Sequence, residues 1–171
     1  MAEEIVNRVA SSELITLDPA DYYPKEEIPV FDIKPFLFRE LVLKEKDFRA
    51  AIAELDTEPY RGKTVALTCS NDAIVPVWAY MLVVTRLQPV AREIFLGDEA
   101  AARKEILLRN IRHLDLTAMN NRRIVIKGCG EIEMDEAAYV EITKILLPVA
   151  KSIMYGEPCS TVPIYKQKQP G

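Results

Sequence analysis

The sequence predicts a three-layer α/β domain with a mainly parallel central sheet, helices on both faces and antiparallel edge strands. Short apolar, β-branched runs alternate along the chain with amphipathic stretches of helical length. Such connections are right-handed crossover units, which join parallel strands and place helices on both faces of the sheet. In addition, 49% of the 171 residues are hydrophobic, enough to build the core that such a sheet needs.

The domain organisation follows from the same alternation. Residues 1–27 are predicted to form an N-terminal helix and a surface loop packed on the domain, residues 28–166 a single α/β domain, and residues 167–171 a short tail. A chain of this length is the size of one ordinary domain. The predicted strands, in order, are 28–33, 40–43, 62–69, 91–97, 122–128 and 161–165.

Apolar side chains at helical spacing define the helices between these strands. In the first helix Phe48, Ile52 and Leu55 recur at i, i+4 and i+7, which places them on one face. Asp98 and Asp135 precede two further apolar stripes and are predicted N-caps. The predicted helices between the strands, in order, are 46–56, 73–85, 98–114 and 135–156.

The last of these helices carries the clearest end signal. Gly156 stands where a left-handed C-terminal cap belongs, and Pro158 blocks continuation. Pro148 is expected to bend this helix without ending it, and Glu141 to lie on its solvent side. Pro163 then indicates an edge strand that pairs antiparallel, because proline cannot donate to a ladder in the middle of a sheet. The N-terminal strands are expected to pair antiparallel at the edges as well.

Charge and composition exclude several classes of protein. The net charge of −4 and the scattered basic residues argue against nucleic-acid binding, which needs a clustered basic face. The longest uncharged stretch, residues 73–85, is too short to cross a bilayer. The acidic N-terminus lacks a secretory signal, and an odd number of cysteines does not make a disulfide framework. We therefore expect a cytoplasmic protein with reduced thiols.

Cys69 has the strongest case for reactivity. It ends a predicted strand and directly precedes a helix that Ser70, Asn71 or Asp72 is expected to cap. The positive end of that helix would stabilise a thiolate, and Ser70 and Asn71 could donate hydrogen bonds to an anion. The opposing interpretation is that Cys69 is an inert side chain buried between an apolar strand and an apolar helix.

A second candidate follows the strand at 122–128. Cys129 stands between Gly128 and Gly130, and paired glycines let a backbone approach a ligand closely, although they also simply make a turn. Lys127 could hold an anionic substrate. Ligands of open α/β sheets bind beyond the carboxyl ends of the strands, where Cys69 and Cys129 are both predicted to lie.

The third cysteine lies in the loop "GEPCSTVP". Cys159, Ser160 and Thr161 are more polar and reactive than a helix-to-strand connection requires, which makes this loop a candidate ligand-binding segment. Because the preceding helix should run antiparallel to the parallel strands, Cys159 is expected at the edge of the sheet opposite to Cys69 and Cys129.

Metal binding would have to rely on thiolates and carboxylates. His113, the only histidine, is predicted to face solvent, which excludes histidine-rich sites. The candidate ligands are thiolates and carboxylates that lie at the ends of predicted helices and strands. They include no C-x-x-C pair, the spacing typical of many metal sites. The candidates are Cys69, Cys129, Cys159 and Glu157, with Asp72 as a further oxygen donor.

Four stretches resemble a known family: "AEEIVNRVA", "LKEKDFR", "CSNDAIVPVWAYM" and "VAKSIMYGEPCSTVPIYK". The chain is similar over nearly its whole length to a bacterial family known as domain of unknown function 2480. This resemblance implies no activity and no catalytic residues. Members often neighbour genes for iron–sulfur cluster assembly of the SUF type, so the resemblance implies iron–sulfur assembly proteins as partners and favours metal or cluster handling over general thiol chemistry.

Three functions stay open at this point. The first is an accessory binding protein whose cysteine-bearing loops contact a metal ion, an iron–sulfur cluster or a sulfur-carrying partner. The second is a thiol-dependent enzyme that acts on a small anionic substrate with Cys69 as its nucleophile. The third is a non-catalytic scaffold or interaction domain, with the edge strand at 161–165 as one surface for forming a homodimer.

Overall fold

The computed structural model describes residues 14–128, 130, 132–157 and 159–168. The helix predicted near the N-terminus and Cys129 lie outside the described residues. The strands are β1 (Leu14–Leu17), β2 (Val30–Asp32), β3 (Thr64–Thr68), β4 (Glu93–Leu96), β5 (Arg123–Ile126), β6 (Ser152–Glu157) and β7 (Ser160–Lys166). The helices are α1 (Glu45–Ala53), α2 (Val77–Leu87), α3 (Glu99–Arg112) and α4 (Glu136–Leu146).

The chain divides into two compact units. Unit 1 comprises Met1–Tyr23 and Ile106–Gly171, and unit 2 comprises Pro24–Glu105. Unit 2 therefore interrupts unit 1 in the sequence, and the boundary between them falls within α3. The prediction of a single domain over residues 28–166 stays a prediction.

Unit 1 contains a four-stranded sheet in the order β1-β5-β6-β7. The first three strands are parallel, and β7 pairs antiparallel with β6 at the edge. The mainly parallel α/β class and the antiparallel last strand are thus confirmed. β1 was not predicted, and the expected antiparallel pairing of the N-terminal strands is wrong, because β1 pairs parallel with β5 and β2 pairs parallel with β3.

The core of unit 1 lies between one face of this sheet and two helices. Alternate strand residues point to one face, so Ile124 and Ile126 of β5 are buried together with Ile153 of β6. Ala138 and Ile142 of α4 pack against them at the predicted helical spacing. The buried members of this cluster are Leu17, Leu107, Ile111, Ile124, Ile126, Ala138, Ile142, Leu146, Ala150 and Ile153.

Residues 147–157 differ most from the structure that their sequence predicts. The predicted helix ends at Leu146, and residues 152–157 form β6 instead. Pro148 lacks the N–H that a continuing helix needs, and its ring collides with the preceding turn. The stretch beyond it, "SIMY", contains β-branched and aromatic residues that suit a strand. Gly156 is therefore not a helix cap; it lies inside β6 with φ +124°.

Glu141 of α4 also differs from the prediction of a solvent-facing residue. It is only 9% exposed, and its carboxylate accepts hydrogen bonds from Lys144 at 2.9 Å and Arg112 at 3.2 Å. The Lys144 hydrogen bond, followed by the Arg112 one, lowers the pKa of Glu141 in spite of burial. A carboxylate tolerates this position because two cations accompany it.

Unit 2 contains a three-stranded parallel sheet in the order β2-β3-β4. Its core joins the sheet to α1 and α2 through Phe31, Val65 and Phe48 among others, and the predicted stripe of α1 is buried at Phe48 and Ile52. The strand predicted at 40–43 is wrong. A tight turn forms there, with Phe38 and Val42 bridged through their backbones.

Helix starts were predicted with mixed success. Asp98 and Asp135 cap α3 and α4 as expected, each accepting a backbone hydrogen bond at 2.8 Å. However, α2 begins only at Val77, with Pro76 at its N-cap, so the caps predicted at Ser70, Asn71 or Asp72 are wrong. A proline disfavours helical backbone in the residue before it, which keeps Val75 and the preceding loop out of the helix. In the described part of the chain, no helix has the length and apolarity needed to span a membrane.

Candidate functional site

A cleft of about 740 Å³ lies at the carboxyl edge of the unit 1 sheet. Because β1, β5 and β6 are parallel, their carboxyl ends meet at one edge, the usual ligand position in such sheets. The amino end of α4, which follows β5 in the chain, completes the wall. We call this the carboxyl-edge cleft. Its lining residues are Asp18, Pro19, Ala20, Lys127, Gly128, Gly130, Ile132, Glu133, Met134, Glu136, Tyr139, Val140 and Tyr155.

An ion pair joins the ends of β1 and β5 in this cleft. The ammonium of Lys127 donates to the carboxylate of Asp18 at 2.7 Å, and both side chains are partly buried. Asp18 also accepts a hydrogen bond from the backbone N–H of Ala20 at 2.9 Å. The Lys127 hydrogen bond lowers the pKa of Asp18 most, and burial opposes it. Lys127 was predicted to hold an anionic substrate; here its charge is compensated by Asp18.

This ion pair predicts a specific pH dependence of stability. An Asp18→Asn variant keeps the turn-capping oxygen but loses the charge, so it should cost about 1 kcal/mol of unfolding free energy at about pH 6. Since the folded pKa of Asp18 lies below its unfolded value, the stabilisation is complete above that unfolded value, about pH 4, and is lost as pH falls through the folded pKa. Urea unfolding of both proteins at a series of pH values checks this. A difference that stays constant or grows on acidification would contradict it.

Gly128 lies in close contact with the Tyr155 side chain, whereas Gly130 lies in open space. A Cβ on Gly128 would come within 2.6 Å of the Tyr155 ring, so the backbone passes directly beneath this tyrosine. A Cβ on Gly130 would meet no atom within 4 Å. Both residues line the cleft, and the Tyr155 hydroxyl lies 3.4 Å from the Gly128 carbonyl oxygen. Their predicted role in the close approach of a ligand stays a prediction.

The cleft continues into an apolar groove between α4 and the β6–β7 hairpin. Tyr139, Val140 and Tyr155 line both, and the two tyrosine rings meet edge to face with centroids 5.5 Å apart. We call this the hairpin groove; its volume is about 340 Å³. Its lining residues are Ile126, Tyr139, Val140, Thr143, Lys144, Tyr155 and Ile164.

The charges of the carboxyl-edge cleft are mainly negative. Among the described lining residues, Asp18, Glu133 and Glu136 carry three negative charges against the single positive charge of Lys127. Such a lining favours a ligand with a basic group, not the small anion that the sequence analysis expected.

Cys159 and its neighbours lie at the same edge of the sheet as this cleft. They occupy the connection between β6 and β7, and β6 is parallel to β5, so the expected position at the opposite edge is wrong. The error follows from the helix predicted over 152–156. Cys159 is exposed, Ser160 begins β7, and the Thr161 hydroxyl lies 3.8 Å from the sulfur of Met154.

Cys69 belongs to unit 2 and is half-buried. Its Sγ lies 3.6 Å from the carbonyl oxygen of Asn71, and α2 starts eight residues further along the chain. The helix-terminus argument for a reactive thiol therefore does not apply. The anion donors proposed beside it are also engaged, since Ser70 donates from its N–H and its hydroxyl to Asp32 and the Asn71 amide donates to the Glu40 carbonyl.

Asp32, at the end of β2, organises this unit 2 loop. Burial raises its pKa, but hydrogen bonds from the Ser70 hydroxyl and from the backbone N–H groups of Lys34 and Ser70, together with the Lys34 charge, outweigh burial and hold it below its ordinary value. The Asp32 carboxylate thus connects the loop that contains Lys34 to the loop that contains Ser70 through hydrogen bonds.

The metal hypothesis gains no support from the described residues. No group of three or more histidine, cysteine, aspartate or glutamate side chains lies close enough to hold a metal ion within the described ranges. His113 is exposed, as predicted, and its Nδ1 lies 2.8 Å from the Arg109 carbonyl oxygen. Cys159 and Glu157 flank one turn, Cys69 belongs to the other unit, and Cys129 lies outside the described residues.

Asp18, Tyr139 and Tyr155 line the cleft but were not predicted as site residues. Asp18 follows "LITL", a β-branched run that ends in an Asp-Pro turn and is typical of a short strand. Tyr155 was hidden inside the helix predicted beyond Pro148. A stricter use of Pro148 as a helix end would have revealed both β6 and its tyrosine.

Comparison with known proteins identifies the family but no activity. A family model described as "Protein of unknown function (DUF2480)" matches residues 3–167. The chain belongs to the DUF2480 family. The resemblance noted in the sequence is therefore confirmed. Searches of curated proteins and of solved structures found no match. The function of this DUF2480 protein must accordingly be inferred from its own geometry.

Proposed function

We propose that this protein is an accessory binding protein whose hairpin groove and carboxyl-edge cleft together recognise a segment of a partner protein. An apolar side chain of the partner occupies the groove, and a neighbouring lysine or arginine lies among the carboxylates of the cleft. This assignment keeps the binding interpretation of the sequence and replaces metal ligation with recognition of a peptide segment.

The observation that carries this proposal is the apolar surface around the groove. Val140 is 60% exposed and Ile164 is 52% exposed, and Tyr155 and Val162 are exposed as well. Val162 pairs with Tyr155 across the β6–β7 hairpin, so both side chains lie on the same sheet face. Contiguous exposed apolar groups of this kind mark interaction surfaces in soluble proteins.

The adjoining cleft supplies specificity for a basic group. Among its described lining residues three carboxylates outnumber one ammonium, and Tyr139 and Tyr155 offer aromatic faces for a cation at the junction with the groove. A segment that combines an apolar residue with a lysine or arginine satisfies both halves of the surface. Charge at the rim then fixes the direction of the bound segment and increases its association rate.

Cys159 supports a sulfur-related partner for the same surface. It is exposed in the turn between the two strands that border the groove. A partner that binds in the groove and extends along the hairpin to this turn would meet the thiol. Iron–sulfur assembly proteins, the partner class implied by the family resemblance, fit this part of the proposal.

Peptide selection tests the proposal directly. A random peptide library displayed on phage is selected against the whole protein, and the enriched peptides are measured by isothermal titration calorimetry. We expect peptides that pair an apolar residue with lysine or arginine, and we expect Val140→Lys to weaken their binding by about tenfold or more.

Leu147→Lys provides the matched control. It places the same charge at the end of the same helix, on a residue that is 46% exposed but does not line the groove. It should leave binding unchanged. The proposal is wrong if no peptide is enriched, or if Val140→Lys and Leu147→Lys bind the selected peptides equally well.

A further inference from the structure

A second cleft, of about 550 Å³, lies near the opposite end of the unit 1 strands and is strongly basic. It is formed by the start of β5, the start of β6 and the end of β7. We call it the basic cleft. Its lining residues are Asn121, Arg123, Lys151, Ser152, Met154, Pro163, Tyr165, Lys166, Gln167 and Lys168.

The charge of this cleft contrasts with that of the whole chain. Four of its described lining residues are lysine or arginine and none is acidic, whereas the chain carries a net charge of −4. A local field of one sign inside a concave surface concentrates ligands of the opposite sign. Four cationic side chains around one cleft are a local concentration of positive charge, which a random scatter of surface lysines and arginines would not produce.

The sheet register aligns three of these residues in one row. Arg123 pairs with Ser152, and Ser152 pairs with Lys166, so the three side chains share one face of the sheet. Two strand spacings separate Arg123 from Lys166, about 10 Å between their Cα atoms. Their long side chains can close over a group that the Ser152 hydroxyl contacts from below, which is a phosphate-binding arrangement of guanidinium, ammonium and hydroxyl.

The backbone around the row is firmly connected. The N–H of Lys151 donates to the Arg122 carbonyl at 2.8 Å, and the N–H of Gln167 donates to the Lys151 carbonyl at 2.9 Å. The three segments therefore hold a fixed spacing, so the backbone need not rearrange to bring the cationic residues together when a ligand binds. Met154 and Pro163, which pair across β6 and β7, add an apolar floor one row further along.

We infer that the basic cleft binds a small molecule through a phosphate group that carries at least two negative charges, held by Arg123, Lys166 and Ser152. The volume lies in the usual range of small-molecule sites. The phosphate comes either from an inorganic polyphosphate or from an organic phosphate whose body lies on Met154 and Pro163. This site is separate from the surface proposed for the partner segment.

Calorimetric titration of the whole protein with pyrophosphate and with a nucleoside diphosphate tests the inference and separates the two sources. We expect binding in the micromolar range that weakens as salt is added. Tighter binding of the nucleoside diphosphate indicates an organic phosphate, and equal binding indicates a free polyphosphate. Replacing Arg123 and Lys166 together by glutamine should weaken either probe by about tenfold or more.

A charge-matched variant separates the site from general electrostatics. Lys25→Gln with Lys46→Gln removes the same two charges from exposed positions of unit 2 and should change affinity less than about twofold. Circular dichroism confirms that each variant is folded before titration. The inference is wrong if neither probe binds, if both double variants weaken binding equally, or if a single-stranded oligonucleotide displaces the bound probes at lower concentration than either.

Discussion

Gly156→Ala should lower the free energy of unfolding by about 3 kcal/mol, the combined effect of backbone strain and a steric clash. Gly156 has φ +124°, a conformation that residues with a side chain rarely adopt. An added Cβ would also lie 2.5 Å from the backbone carbonyl oxygen of Ser160 on the paired strand, which cannot move without opening the hairpin. Urea denaturation monitored by circular dichroism measures the loss.

Two other glycines separate the causes of this effect. Gly62 also has a positive φ, +67°, but a Cβ added there would meet no atom within 4 Å. In Gly62→Ala, backbone strain alone should therefore lower the free energy of unfolding by about 1 kcal/mol. Gly130→Ala has neither problem and should be nearly neutral. If Gly156→Ala costs no more than Gly62→Ala, the close approach of the hairpin strands is not what fixes a glycine at this position.

The same glycine explains why the sequence was misinterpreted at this point. A glycine after a long apolar stretch and before a proline is the usual signature of a helix end. Here the glycine lies in a strand instead. β6 needs Gly156 so that β7, its partner in the hairpin, can approach closely. Pro148, eight residues earlier, and the strand-forming residues of "SIMY" distinguish the two, but a proline within an apolar stripe can either bend or end a helix.

Elements defined by strong local signals were predicted well. β3 and β5 are short apolar runs with clear boundaries, and the caps Asp98 and Asp135 act through their own side chains on the next residues. β1 was missed because a strand of four residues gains its stability from pairing with β5, more than a hundred residues away. The run "LITL" is typical of a short strand, but single-sequence periodicity does not identify the partner that stabilises it.

The candidate site was predicted only in part, for the same physical reason. Lys127, Gly128 and Gly130 were identified because they follow a recognisable strand, and carboxyl ends of parallel strands form ligand sites. Asp18 directly follows β1 and Tyr155 lies on β6, and neither strand was predicted, so their meeting at one edge of the sheet was not predicted either. The cysteines were selected for the reactivity of their thiols, not for a known position in the fold. Cys69 does not lie at a helix terminus, because α2 begins only at Val77.

Phe48→Ala should produce the largest loss of stability, about 4 kcal/mol. Phe48 of α1 is fully buried in unit 2, and its ring meets those of Phe36 and Trp78 edge to face, with centroids 6.1 Å and 5.9 Å away. Truncation removes apolar contact area, two aromatic pairs and the support of both neighbours, and it leaves a cavity that the surrounding rings fill only partly.

Two companion variants make this prediction decisive. Phe48→Leu retains most of the volume and should cost about 1.5 kcal/mol. Ile74→Ala removes apolar atoms from a side chain that is 92% exposed and should cost less than about 0.5 kcal/mol. Trp78 fluorescence follows unfolding in all three proteins and reports the Phe48 site itself, since this tryptophan contacts the mutated ring. Equal losses in Phe48→Ala and Ile74→Ala would mean that unit 2 does not depend on the aromatic cluster, and its fold would then require another source of stability.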